Sequence, residues 1–352
     1  MARRRALILL IALPSLPVVV SLATSVLVQC RIRDLRTRGE PVSLADLGAN
    51  SGGGVENAAG IYRAAFLSLH GHPCVEDELL SCYAVTGDYA ESAARGLERN
   101  RAALDLAVAA LGRSTCSFPL DDGAIREAIA DRCRDVRGTW DQRSLSEYSR
   151  PMVEIARDLS IRARLRARSG RIEDAIVDLR AAARCAWALE GEPPPDSLRT
   201  GIYIATCVLA AVRSLRDEGH VTGVAETDSL LGILESLDRR RALVEAVRIE
   251  RAAFLDVSST LAPSDLEIDD HIVRFRVLYE FGIEWNLDVL FCLDRMEGMI
   301  ESAGPSLADE IPRHYVLSQR MLPPLAALVQ DELTFRRELE DTMARIRTGG
   351  PP

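Results

Sequence analysis

Apolar side chains recur at three- and four-residue intervals along most of this chain, the spacing of one face of an α-helix. The pattern is sharpest between Pro151 and Pro195. Met152, Ile155, Ala156, Leu159, Ala163 and Ala167 fall on one face of a first helix. Ile172, Ala175, Ile176, Leu179, Ala183, Ala186 and Trp187 do the same in a second. Ser169-Gly170 stands where a left-handed residue closes a helix, and Gly191 with Pro193, Pro194 and Pro195 ends the second one. The stretch predicts a helical hairpin built to pack against further helices.

The same periodicity predicts a helix over 56–69, with Ala59, Tyr62, Ala65, Phe66 and Leu69 on one side. A long helix over 89–111 follows, closed by Gly112, with Thr86 or Asp88 as its N-cap. A short helix is expected to open at Asp121-Asp122, and another runs from Asp196 to near Gly219. Thr227 or Asp228 opens a pair of helices broken near residues 237–240. Residues 269–302 are rich in apolar and aromatic side chains. Pro323-Pro324 either open or kink a last helix running towards Arg347. No segment alternates with period two between turn signals. The expected fold class is all-α, an irregular helical array or bundle.

At the amino terminus, Arg3, Arg4 and Arg5 precede an uncharged run over 6–28. That run is long enough to cross a bilayer, where about 20 apolar residues suffice, with a kink expected at Pro14 and Pro17. The organisation read from the sequence is a basic flank and transmembrane anchor over 1–38, a flexible linker over 39–55, an all-helical domain over 56–348 and a disordered tail over 349–352. A cleaved signal is the alternative, with Ala23-Thr24-Ser25 as its site and Leu27-Val28-Gln29-Cys30 as a loose lipoprotein box. Arg31, Arg33, Arg36 and Arg38 make both flanks basic. A short basic tail before a large domain places the helical body outside the cytoplasm.

Composition sharpens the partner question. All 43 basic residues are arginine, and the net charge is −9. Seven of those arginines against Asp34 lie in 1–38, which leaves 36 arginines against 51 acids in the remainder, a body of −15. An acidic body without clustered cations is a poor ligand for phosphate backbones, so nucleic acid is excluded as the expected partner.

The densest set of potential ligands is His70, His72 and Cys74, with Glu76, Asp77 and Cys82 close by. His and Cys donors suit tetrahedral zinc, while a Cys74–Cys82 disulfide is the alternative. Cys116 and Cys133 are a second candidate bridge, and Cys185, Cys207 and Cys292 are expected as buried thiols. His220, His271 and His314 are scattered, and Asp269-Asp270-His271 reads as a helix N-terminus before it reads as acid–base machinery. No HExxH, P-loop, GxSxG or GxGxxG is present. No catalytic, cofactor-binding or metal residue is therefore assigned, and no cofactor is expected. Arg162, Arg164, Arg166, Arg168 and Arg171 step around a helix by about 200° and cannot form one stripe. They are expected to pair with acids such as Glu154, Asp158, Glu173 and Asp174, a groove for an acidic peptide being the alternative.

The hairpin resembles a tetratricopeptide-like repeat. Gly170 sits at the turn, Ala163 and Ala175 occupy small crossing positions, and Leu179 and Ala182 follow at suitable spacing. Arg166 departs from the pattern, standing where an aromatic is usual, and the motif occurs once, over about 34 residues. The layout is also similar to a broad group of bacterial membrane-anchored helical proteins, on Gly39-Glu40-Pro41-Val42-Ser43-Leu44, Asn57-Ala58-Ala59 and residues 164–179. These resemblances imply location and fold and bring no activity. The function expected is a membrane-anchored helical domain that binds or scaffolds a protein partner. The alternative is an enzyme of unrecognised type, such as a metal-dependent hydrolase centred on His70, His72 and Cys74.

Overall fold

The computed structural model describes residues 2–43, 45–46, 57–70, 88–116, 118, 130, 148–189, 196–221, 223–237, 240–260, 283–302 and 316–348. Among the described residues the protein is all-α, with no strand and one isolated bridge, between Asn57 and Thr115. In chain order the helices are α1 (Ala2–Thr37), α2 (Ala59–Leu67), α3 (Asp88–Arg99), α4 (Arg101–Ala109) with a 3₁₀ turn at Ala110–Gly112, α5 (Ser149–Arg168), α6 (Ile172–Ala188), α7 (Asp196–Asp217), α8 (Val224–Glu235), α9 (Arg240–Ser258), α10 (Ile283–Ser302) and α11 (Val316–Thr348). Contacts divide the chain into two compact units. Met1–Asn50, Asp121–Gln142 and Val244–Gln330 form the first, and Ser51–Leu120, Arg143–Leu243 and Asp331–Pro352 the second.

The second unit is built on the hairpin α5–α6. Gly170 has φ +77°, a backbone conformation a side chain would strain. Its N–H donates to the Ala167 carbonyl at 2.9 Å, and Arg171 N–H donates to the Arg166 carbonyl at 2.9 Å. This pairing satisfies carbonyls that the end of a helix otherwise leaves bare. Ala163, Ala175, Ala182 and Ala186 are buried where α5 and α6 meet, and their small size lets the backbones approach. Ile155 and Leu159 are fully buried beside them, each contributing roughly 1.5–3 kcal/mol of hydrophobic stabilisation.

Helix α7 packs against both α5 and α6. Among the described residues, one helix, Ser197–Asp217, is long and apolar enough to cross a membrane. Of its most apolar 18-residue window, 61% is buried within the protein. A lateral cluster of stacked rings, Tyr62, Phe66, Phe118 and Tyr148, joins α2 to the segments before α5, with Phe118 and Tyr148 centroids 4.4 Å apart.

Two local departures from the sequence reading have physical causes, and one of the two readings of Pro323-Pro324 is settled. The single helix expected over 89–111 is divided at Asn100. The Asn100 side chain is buried, accepts the His70 backbone N–H at 2.9 Å and donates to Asp158 Oδ2 at 2.9 Å. Helix α8 starts at Val224, ahead of Thr227, because the Glu226 carboxylate accepts the Gly223 N–H at 2.6 Å and the Thr227 hydroxyl donates to the Gly223 carbonyl at 2.8 Å. Pro323 and Pro324 lie inside α11 rather than opening it. The helix expected at Asp121-Asp122, the stretch 269–282 and the tail 349–352 lie outside the described residues.

In the first unit, α1 continues through Pro14 and Pro17 and packs on α10. Thr24, Val28 and Leu35 are buried. Of the expected linker 39–55, residues 39–43, 45 and 46 are described. Val42 is buried there, and Asp46 Oδ2 accepts the N–H groups of Val42 and Ser43, both at 3.0 Å. Those bonds hold its carboxyl below the usual range, the Val42 N–H contributing most. Asp288 of α10 accepts both the backbone N–H, at 3.0 Å, and the hydroxyl of Ser318, which fixes the first turn of α11.

The hairpin crossing yields a direct test. Ala163→Arg or Ala175→Arg forces a long cation into a site with no exposed surface and should destabilise the chain by several kcal/mol. Thermal melting followed by circular dichroism reads this out; a wild-type melting temperature in either variant would contradict the placement of the crossing.

Candidate functional site

The arginine run on α5 sorts into two opposed pairs, as its 200° step requires. Arg162 grips Asp178 of α6 with two bonds, Nη2 to Oδ1 at 2.7 Å and Nε to Oδ2 at 3.1 Å. Its Nη1 also donates to Asp105 of α4 at 3.1 Å. One turn on, Arg166 Nη1 lies 2.8 Å from the same Asp178. Arg164 and Arg168 point the other way and share Glu218, just past α7, at 3.6 and 2.9 Å. Arg171 pairs with Asp174 at 3.9 Å. Of the acids expected as partners, Asp174 is one. Glu154 pairs with Arg150 at 3.4 Å, and Asp158 lies 3.6 Å from Arg157. The two acids that hold the run together, Asp178 and Glu218, escaped the sequence reading. Each of the five arginines of the run thus lies within ion-pairing distance of an acid.

Electrostatics separate these two acids. Burial pushes the Asp178 carboxyl above the usual carboxylate range, the guanidiniums of Arg162 and Arg166 pulling it back only in part. Glu218 is pulled down to about 2, chiefly by its hydrogen bond from Arg168, with help from Ser214 and His220.

The concave site of the second unit lies elsewhere, beside the hairpin. It is an open cleft of about 750 Å³. One wall is a single face of α6, carrying Arg180, Ala183, Arg184 and Trp187 at the i, i+3, i+4, i+7 spacing. The facing wall is α8, through Asp228, Ser229, Gly232, Ile233 and Ser236. The third comes from the 3₁₀ turn and the residues after it, Leu111, Arg113 and Ser114. Arg184 lies over the Trp187 ring, its Cζ 3.3 Å from the centroid, and Nη2 donates to the Arg113 carbonyl at 2.6 Å. That brace ties two walls together. Arg180 is exposed and enters no ion pair among the described residues. A Cβ built on Gly232 meets nothing within 4 Å, so the α8 wall is open at its middle. Three arginines against one aspartate give this cleft the opposite sign from the rest of the body.

The first unit holds a second charged cluster, where α1 ends. Arg31 pairs with Asp294, at 3.1 Å, and with Glu297, and Arg38 reaches Glu297 at 2.5 Å. Glu40 receives Arg248 at 3.1 Å and the buried Arg251 at 2.8 Å. Asn286 of α10 donates to Ser25 Oγ at 2.9 Å and Thr24 Oγ1 at 3.2 Å. These contacts fasten residues 24–40 to α9 and α10.

Among the described residues no group of three His, Cys, Asp or Glu gathers to hold a metal. Of the loop candidates only His70 is described, and His72, Cys74, Glu76, Asp77 and Cys82 lie outside the described residues, as does Cys133, the expected mate of Cys116. His220 lies 3.3 Å from Glu218, while His271 and His314 are outside. Cys185 and Cys292 are buried thiols, and Cys207 is half-buried. Burial pushes the Cys185 thiol up to about 12, which leaves little thiolate at neutral pH. Trp187, expected on the apolar face with Leu179 and Ala186, is half-buried and lines the cleft with Arg180 and Arg184.

Glu218 provides a pH test. Its folded value lies below the ordinary 4.5, so its stabilisation is complete above about 4.5 and is lost as pH falls towards about 2. Glu218→Gln should lower the melting temperature by a few degrees at pH 7, a modest effect because the carboxylate is part-exposed. The gap from wild type should close across that acid window; a gap independent of pH would contradict the ion-pair assignment. Compared with known proteins, the chain stands by itself: no protein-family model, curated protein or solved structure matches it.

Proposed function

We propose that this protein is a membrane-anchored helical interaction protein, with residues 6–28 spanning the bilayer and the helical body holding a protein partner outside the cytoplasm. The observation that carries the reading is the double character of α1. Val18, Val19, Leu22, Val26 and Leu27 expose apolar side chains to the surroundings, which in water is unfavourable and in lipid is not. The other face of the same helix is fastened to α10, by Asn286 at Thr24 and Ser25 and by Glu297 at Arg31. A helix that keeps an apolar exposed face while its other face is built into the fold suits an anchor that is retained. Cleavage after Ser25 would strip Asn286 of both hydroxyl partners, Thr24 and Ser25.

The partner-binding half of the proposal rests on the hairpin and the cleft beside it. The left-handed Gly170 turn and the buried Ala163 and Ala175 fit a tetratricopeptide-like unit. Arg166, which replaces the usual aromatic, reaches the buried Asp178 instead. Stacked helical hairpins present concave surfaces, and polypeptides are what such surfaces take.

Two measurements on the full chain in bacterial membranes test the proposal. Intact mass should show the N-terminal residues still present, in protein that stays in the membrane pellet through alkaline carbonate. A photo-cross-linking residue placed at Gly232 should capture a protein, while the same residue at the exposed Glu91 should not. A truncated, carbonate-extractable chain would contradict the anchor, and cross-linking no stronger at 232 than at 91 would contradict the binding role.

A further inference from the structure

Past its apolar stretch, α1 carries arginines on two faces. We propose that Arg33 and Arg36 bind the headgroup of an anionic phospholipid in the leaflet where the helix leaves the bilayer; this rests on the reading of α1 as a retained anchor.

The face of each residue follows from the step of about 100° per residue in an α-helix. Thr24, Val28, Arg31 and Leu35 fall on one side, where Thr24, Val28 and Leu35 are buried and Arg31 pairs with Asp294 and Glu297. Val19, Leu22, Val26, Gln29, Arg33 and Arg36 recur at three- and four-residue intervals on the opposite side, and all of them are exposed. The exposed stripe thus changes from apolar to cationic along its length. Val19, Leu22 and Val26 suit acyl chains. Arg33 stands about 7.5 Å along the axis from the end of the 6–28 span, within a headgroup layer roughly 5–8 Å deep on each side of a bilayer. Arg36 is one turn further, and its flexible stem lets the guanidinium reach back to the same layer.

Ion pairing separates the two sets of arginines. Arg31 and Arg38 meet Asp34, Asp294 and Glu297. The side chains of Arg33 and Arg36 enter no hydrogen bond or ion pair among the described residues, although the charge of Arg36 helps to lower the Asp46 carboxyl. A guanidinium presents five donors in a planar fork and meets a phosphate through two parallel bonds.

Charge decides against a second copy of the chain as the occupant. Copies anchored in one membrane run parallel, so a symmetric pairing along this stripe sets Arg33 against Arg33 and Arg36 against Arg36, and repulsion opposes it. An anionic headgroup meets the same two residues with attraction. A zwitterionic headgroup offsets its phosphate with its own ammonium, and a free phosphate has no chains for the apolar half of the stripe.

The test reconstitutes the full chain in vesicles of equimolar phosphatidylglycerol and phosphatidylcholine, purifies it in mild detergent and measures the retained lipids by mass spectrometry. Wild type should retain phosphatidylglycerol at least about fivefold over phosphatidylcholine, and less of it as salt rises. Arg33→Gln combined with Arg36→Gln should bring that ratio to about one, with an unchanged melting temperature because neither side chain is paired in the fold. Arg345→Gln, at an exposed arginine of α11, should keep the wild-type ratio. Equal retention of the two lipids by wild type, a wild-type ratio in the double variant, or stronger stripping of lipid by inorganic phosphate than by chloride at equal ionic strength would each overturn the proposal. Energy transfer between labelled copies that rises in the double variant, with no lipid preference in wild type, would give the stripe to a second copy instead. Extraction of the chain from the vesicles by carbonate would remove the anchor itself, whereas a chain that resists carbonate and shows no lipid preference would remove this inference alone.

Discussion

The second unit depends on one buried carboxylate. Asp178 has no exposed surface, and it is met there by the guanidiniums of Arg162 and Arg166. Removing a carboxylate from water costs several kcal/mol, and the attraction of a well-placed guanidinium returns that cost only when the geometry is close. The two-bond grip of Arg162 supplies such geometry, and it exists only when α5 and α6 cross in one register. Arg162 also reaches Asp105, so the same charge sets where α4 lies. The ion pairs therefore select an arrangement more than they add stability, while the alanine crossing and the buried Ile155 and Leu159 supply the favourable free energy.

The same logic divides the arginines by role. Arg162, Arg164, Arg166 and Arg168 of α5 meet acids beyond their own helix and are spent on the fold. Arg180, on the side of α6 turned away from the crossing, has no such partner among the described residues and lines a cleft instead. The first unit repeats the device at the end of α1, where Arg31, Arg38 and Arg251 meet Glu297 and Glu40. These ion pairs, with Arg251 and Glu297 buried, give the proposed anchor a fixed attachment to α9 and α10.

How much of this was legible follows from the range of each interaction. The hairpin was legible because its determinants are local: alanines at helical spacing and a glycine at the turn each act within a few residues. The separation of α8 from α9 near 237–240 was readable for the same reason. The division at Asn100 was not, because the amide turns away from the helix only when His70 and Asp158 are there to receive it. Glu218 lies 50 residues from Arg168, and Asn286 lies 261 from Ser25, distances over which periodicity carries no information. The run of arginines was visible and its inability to form a stripe was deducible, yet its partners follow from helix crossings alone. The cleft sat between these cases. Trp187 reads as core because it shares helical spacing with Leu179 and Ala183, and the facing wall comes from a helix about 50 residues on.

The central claim is that the arginines of the hairpin hold the fold as buried ion pairs, and a double-mutant cycle on Arg162 and Asp178 addresses it most directly. Chemical denaturation of Arg162→Met, Asp178→Leu and the double variant gives the coupling energy. Each single change leaves one buried charge without its main partner and should cost about 3–5 kcal/mol, while the double variant should recover most of that loss. Additive losses, with no coupling between the two positions, would contradict the account.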